Sequence, residues 1–207
     1  MCLTDTFSRV LGLPLAYRTF SRLVGGNVWQ VYRNEYIRPT GNERVLDIGC
    51  GPADILAYLA HTDYTGIDIS PEYIHSARKR FGDKGRFLCS DVGTVAIEQE
   101  RGTFSLVLAT GVLHHLDDER AQKLFELARL ALAPGGRLIT YDGCYVNGQS
   151  KIARWFLRRD RGKYVRRPED YQRLAGGYFS HIESSLRQDL LRIPYTHLIM
   201  RCSNTAA

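Results

Sequence analysis

Short apolar runs alternate with amphipathic stretches along the chain. Arg44 to Ile48 reads as a short, fully buried strand, the turn Gly49-Cys50-Gly51-Pro52 follows it, and Ala53 to Ala60 reads as a helix. The same rhythm recurs. Tyr64 to Ser70 is a second strand, Ser70-Pro71 opens a helix with serine as cap and proline at the first helical position, and Arg86 to Val92 is a third strand. Phe104 begins a fourth strand that runs into a loop ending at Leu116. Asp117-Asp118-Glu119 then places acids in the first turn of a helix whose Leu124, Leu127, Ala128 and Ala131 form one apolar stripe. Pro134-Gly135-Gly136 stops that helix, Arg137 to Asp142 is a fifth strand, and after a further helix two last strands lie near Tyr178 to Leu186 and Tyr195 to Cys202. Strands alternating with helices predict a doubly wound α/β sheet, with ligands at the carboxyl ends of the strands.

The turn after the first strand carries the chemistry. Glycine at 49 and 51 permits positive φ and lets a ligand touch the backbone. A dinucleotide site would need a small residue at 54 as well, and Asp54 stands there, so a nicotinamide or flavin reading fails. The stretch Asp47-Ile48-Gly49-Cys50-Gly51-Pro52-Ala53 instead resembles motif I, D-x-G-x-G-x-G, of class I S-adenosylmethionine-dependent methyltransferases, with Ala53 in place of the last glycine. Asp68 ends the second strand about twenty residues after the turn, where a carboxylate accepts from both ribose hydroxyls. Read alone, Asp68 is equally a helix cap. By resemblance, Asp91 accepts from the adenine amino group and the loop after the fourth strand lines the methionine end of the cofactor. The resemblance thus assigns S-adenosylmethionine to Asp47, Gly49, Cys50, Gly51, Asp68, Ile69, Asp91, Val92, Thr110 and Gly111. It is strongest toward bacterial small-molecule (methyltransferase type 11-like) members. The fold expected is a mostly parallel, seven-stranded, Rossmann-like sheet with an antiparallel last strand and an N-terminal helical cap.

Methyl transfer from a sulfonium is an in-line displacement, so the protein has mainly to position the acceptor and exclude water. A hydroxyl or protonated amine must also lose a proton to a base. His114 and His115 follow the fourth strand, and by motif position His114 stands where the fatty-acid-cyclopropane branch carries a glutamate, which ranks His114 above His115 as that base. The alternative is that both histidines only bond backbone and orient the loop. Tyr141, Asp142 and Tyr145 face the same crevice as hydrogen-bonding groups, and Cys144 lines it.

Length and composition fit one domain over residues 1–207: a helical cap at 1–40, a cofactor-binding core at 43–142, a lid or substrate insertion at 144–175, and the final strands at 176–207. Thr19, Phe20, Leu23, Val24, Val28, Trp29, Val31 and Tyr32 give the cap its apolar, aromatic character. Five cysteines without C-x-x-C spacing argue against a disulfide framework or a structural zinc site, and no metal constellation stands out. No secretory signal and no membrane span is read, so the cytoplasm is expected. The net charge of +6 is concentrated in residues 151–173, where nine Lys and Arg face three acids. Such a cluster suits nucleic acid, an anionic lipid surface or an anionic small-molecule acceptor, or is simply a solvated helix face.

Three functions follow from these readings. The first is methyl transfer to O, N or C of a small molecule. The second is RNA methylation through the basic segment, against which stands the absence of an N/D-P-P-Y/F motif after the fourth strand, where Thr110-Gly111-Val112-Leu113 occurs. The third is a non-catalytic cofactor-binding scaffold. Oligomeric state is not legible in the sequence.

Overall fold

A computed structural model of the chain describes residues 24–94, 97–160 and 162–204. Seven strands form one sheet: β1 (Arg44–Ile48), β2 (Asp63–Asp68), β3 (Arg86–Cys89), β4 (Phe104–Thr110), β5 (Leu132–Gly143), β6 (His181–Arg187) and β7 (His197–Ser203). Their order across the sheet is β3-β2-β1-β4-β5-β7-β6. β1 to β5 pair in parallel, while β7 runs antiparallel to both β5 and β6, as the sequence reading expects. β1 lies between β2 and β4, so the chain winds away from it in opposite directions, which opens a crevice at the carboxyl ends of β1 and β4.

Alternation along the central strand sends its side chains into two cores. On one face Val107 and Ala109 meet α3 (Asp118–Ala131) and α5 (Pro168–Gly176) through Leu124, Phe125, Ala128, Tyr171 and Leu174. On the other, Leu106 and Leu108 share a core with Tyr32, Ile37, Ile55 and Ile74, the last from α2 (Pro71–Phe81). The helix starts are as expected. Ser70 Oγ accepts from Tyr73 N at 3.2 Å with Pro71 at the first helical position, and the Asp117 side chain accepts from Arg120 N at 2.9 Å.

Three expectations change. The helix read at Ala53 to Ala60 is a short 3-10 helix, Asp54–Tyr58, because Ala53 takes a left-handed φ of 56° and the bend of the glycine turn reaches one residue further than its glycines. The second and third strands end at Asp68 and Cys89, leaving Ser70, Asp91 and Val92 in loops. β5 begins at Leu132, which already pairs with Phe104; the register then shifts across Pro134-Gly135-Gly136 and resumes at Arg137 opposite Leu106.

Of the expected cap, residues 1–23, including Thr19, Phe20 and Leu23, lie outside the described residues. Its described part is α1 (Val28–Val31) continued by a π turn, Tyr32–Ile37. Arg137 fastens this segment by donating to Ile37 O at 2.7 Å and to the buried Glu43 at 2.8 Å. The segment after β5 holds α4 (Lys151–Arg159), a loop and α5. No helix among the described residues is long and apolar enough to cross a membrane.

Candidate cofactor and acceptor site

The glycine turn is built against the sheet. Gly49 N and Cys50 N both donate to Ile67 O, at 2.7 and 2.9 Å, so the chain reverses directly over the end of β2. Gly49 has φ 71°, and a methyl group there would overlap Val112; Gly51 has φ 54° and nothing within 4 Å of the place a Cβ would take. The first glycine is therefore required by packing and the second leaves open space for a ligand. The Cys50 thiol turns inward against Gly66, so this residue offers only its backbone.

Asp68 holds the turn from below. One carboxylate oxygen accepts from Gly51 N at 2.8 Å and the other from Ser70 N at 2.8 Å, tying the turn to the start of α2. Burial pushes its pKa up, and the backbone bonds pull the other way, leaving it above the ordinary value. Each oxygen keeps a lone pair, and neighbouring Ile69 is 64 % exposed, an apolar face of the kind a planar base covers. Asp91 sits further along the same edge, where one carboxylate oxygen accepts from Gly93 N at 2.7 Å. Beneath the turn Asp47 is buried; one oxygen accepts from Tyr64 OH at 2.6 Å and the other has no partner among the described residues. Burial pushes Asp47 up to about 7 despite the Tyr64 bond. Open space beside Gly51, an acid with spare acceptor capacity, an exposed apolar side chain and an orphaned buried carboxylate oxygen fit an adenosyl group bearing hydroxyls and an amine.

The other half of the crevice is a network centred on His114. Nδ1 lies 2.8 Å from Asp142 Oδ1, Nε2 lies 3.4 Å from Asp160 Oδ1, and Asp160 Oδ2 accepts from Tyr195 OH at 2.7 Å. Gly162 N donates to Asp160, Tyr164 N donates to His114 O, and a side chain at Gly162 would overlap the imidazole. Arg166 locks the loop by donating to Leu113 O at 2.9 Å and Leu116 O at 2.7 Å while pairing with Asp118.

Burial opposes a charge on His114, but its bonds to the two carboxylates outweigh burial and lift its pKa to about 9. The geometry favours the alternative reading, in which His114 orients the loop. Both ring nitrogens face carboxylates, which favours the protonated ring, and His114 ties the loop after β4 to β5 and to the segment beyond α4. Asp142, read as a hydrogen-bonding group for the acceptor, has one oxygen given to His114 and the other buried without a partner among the described residues. His115 is exposed and its ring packs on His114 at 4.3 Å between centroids. Ligand-type atoms of His114, His115 and Asp160 lie within 4.8 Å of one another, a grouping invisible in sequence that joins the His114–Asp160 contact to the His115 ring packed on His114.

Beside this network Tyr141 OH lies 3.0 Å from His197 Nε2, with the His197 ring sandwiched between Tyr141 and Tyr195 at 4.4 and 4.6 Å. Burial pushes His197 down to about 3, so it is neutral. Thr110 donates to the fully buried Tyr32 at 3.3 Å, and Gly111 N donates to Tyr141 O. Asp160, Tyr195 and His197 were not picked out from the sequence as site residues, and Tyr32 only as part of the apolar cap. Asp160 alone left a signal there, as an acid between arginines in the basic segment.

Residues 45–136 match a family model described as a methyltransferase domain. The chain is 34 % identical over 105 residues to an uncharacterized methyltransferase of Mycobacterium tuberculosis, covering 48 % of this chain and 50 % of that one. It is 32 % identical over 104 residues to a malonyl-[acyl-carrier protein] O-methyltransferase of Paenibacillus sp., covering 46 % and 37 %. The chain spans half or less of the length of the curated relatives it matches. Its fold is that of the phosphoethanolamine N-methyltransferase 2 of Haemonchus contortus, solved with phosphomonomethylethanolamine and S-adenosylhomocysteine, at TM-score 0.74 and 16 % identity over 99 % of this chain and 60 % of that one.

Proposed function

We propose, from a chain whose residues 45–136 form a methyltransferase domain, that it transfers a methyl group from S-adenosylmethionine to a small-molecule acceptor. S-adenosylmethionine is the cofactor of this domain, and when bound it supplies an electrophilic methyl group on a sulfonium. The observation that carries the reading is the Asp68 carboxylate bridging Gly51 and Ser70 beneath an open backbone edge. In this reading Asp68 accepts from the ribose, Ile69, Asp91 and Val92 border the adenine, and Gly49, Gly51, Thr110 and Gly111 give the methionine portion backbone to lie on. Asp47 supports the turn from behind.

On the acceptor side the chain supplies positioning and shelter from water. His114, Asp142 and Asp160 hold the segment after α4 over the crevice, and the Tyr141 hydroxyl beside neutral His197 is the group placed to orient an acceptor. Residues 144–175 act as the lid, helped by the helical cap. A crevice roofed by its own chain suits a small acceptor better than a duplex. The relatives' names fall on both sides, since a malonyl-[acyl-carrier protein] O-methyltransferase and a phosphoethanolamine N-methyltransferase act on small groups while a third is a ribosomal RNA methyltransferase of Pseudomonas putida. A cytoplasmic location belongs to the same reading.

The nine cations of residues 151–173 favour a second reading, RNA methylation. Incubating the chain with S-adenosylmethionine and separate panels of carboxylates, amines, phenols and RNA, and measuring S-adenosylhomocysteine, decides between them. Product with a small acceptor and none with RNA supports the proposal; product with RNA alone overturns it. Tight cofactor binding without product in any arm assigns the scaffold role.

A further inference from the structure

α4 presents an unusual outer face. Ala153 and Leu157 anchor the helix to the domain, while Lys151, Ile152, Arg154, Trp155, Arg158 and Arg159 point to solvent. At about 100° per residue Ile152 and Trp155 stand about 60° apart on one flank, with the half-buried Phe156 beside them. Ile152 is 60 % and Trp155 48 % exposed. Apolar side chains of this helix thus extend beyond what the domain covers, with Arg159 standing between Ile152 and Trp155 and the remaining exposed surface cationic. The Arg159 guanidinium lies over the Trp155 ring at 4.1 Å, so the cation and the aromatic plane form a single surface feature. The following loop continues the pattern with Tyr164, 42 % exposed. The acid of the segment nearest the helix, Asp160, is turned inward to His114 and Tyr195 and does not neutralise this face.

We infer that the outer face of α4 docks on an anionic membrane surface, with Ile152 and Trp155 entering the boundary between headgroups and acyl chains and the surrounding Lys and Arg pairing with lipid phosphates. A helix whose exposed Trp and aliphatic side chains are set among long cations, opposite a buried stripe, matches helices that lie in the interface with their Lys and Arg snorkelling to the headgroups. Charge complementarity selects anionic lipid. The exposed aliphatic side chain decides against nucleic acid, because Ile152 offers nothing to a phosphate backbone or a stacked base. α4 leads directly into Asp160, so docking sets the crevice beside His114 at the bilayer surface, within reach of an acceptor lying there. The inference rests on the face of α4 and holds whether or not the domain transfers methyl groups.

The test uses the full chain carrying Trp29→Phe, which leaves Trp155 as its one tryptophan. Co-sedimentation with vesicles of phosphatidylcholine, and of phosphatidylcholine mixed with phosphatidylglycerol, is measured at low and high salt. Binding to the anionic vesicles alone, weakened by salt and accompanied by a blue shift of Trp155 emission, is the expected result. Ile152→Asp, and separately Arg158→Glu with Arg159→Glu, lower partitioning by roughly tenfold or more, since each interfacial cation alone is worth about fivefold. Circular dichroism melts and S-adenosylhomocysteine affinity report that both variants are folded. Absence of binding to anionic vesicles overturns the inference, as does equal binding by Ile152→Asp. Tighter binding to polyuridylate than to anionic vesicles overturns it too and assigns the face to nucleic acid.

Discussion

Asp68 bridges the turn and the next helix through two hydrogen bonds, and each such bond to a charged group is worth roughly 1.5 to 3 kcal/mol. In the proposed complex the same oxygens take the ribose hydroxyls. Asp68→Ala therefore weakens S-adenosylhomocysteine binding by roughly tenfold or more, as calorimetry will read; unchanged affinity reduces Asp68 to a backbone clamp. The two buried histidines give a second expectation. His114 has a folded pKa of about 9, above its unfolded value of 6.5, so its stabilisation is complete below pH 6.5 and is lost as pH rises through about 9. His197 is the reverse: pushed down to about 3, it contributes stability above pH 6.5 that is lost as pH falls toward about 3. The unfolding free energy of His114→Asn, subtracted from that of the wild type, should show a deficit on the order of 3 kcal/mol at neutral pH that fades above pH 9. His197→Asn should instead flatten the acid limb. Identical pH profiles for all three chains would remove the charge assignment. These roles were out of reach of the sequence, since it shows that histidines follow the fourth strand but burial and the distant Asp142 and Asp160 decide whether they hold a proton.

The strands and the turn between β1 and the 3-10 helix were legible because their determinants are contiguous: an apolar run, two glycines, an acid at the end of the next run. Gly49 illustrates how tightly this unit is specified. Its φ of 71° is left-handed, and any side chain meets Val112 on the loop after β4. Gly49→Ala should lower stability by roughly 1 to 2 kcal/mol from the dihedral alone and displace the turn, read as a lower urea midpoint and weaker cofactor binding. Adding Val112→Ala removes the overlap and restores part of the loss but not the dihedral contribution. Full recovery would show that packing alone fixes the glycine. The helix expected at Ala53 to Ala60 failed for a related reason, because a left-handed Ala53 consumes the residues that would have formed its first turn.

At the scale of the molecule, the seven-stranded architecture was readable from alternation, while the proposed acceptor half was read only through His114, His115, Tyr141 and Asp142, because Asp160, Tyr195 and His197 join them only after distant segments close on one another. The lid assigned to residues 144–175 belongs here. Its loop is held to the core through Asp160 and Arg166, so S-adenosylhomocysteine should slow tryptic cleavage at the arginines and lysines of this segment several-fold. Cleavage that is equally fast with and without ligand would count against a lid that closes. The sheet order has a consequence for synthesis. Among the described residues β6 pairs with no strand but β7, and β7 inserts between β5 and β6 although it follows both in the chain. On the ribosome, residues 181–187 emerge with no partner and the flank of β5 stays bare until residues 197–203 slide in as the keystone. That interval is when a foreign strand, or the same stretch of a neighbouring nascent chain, finds the vacancy open.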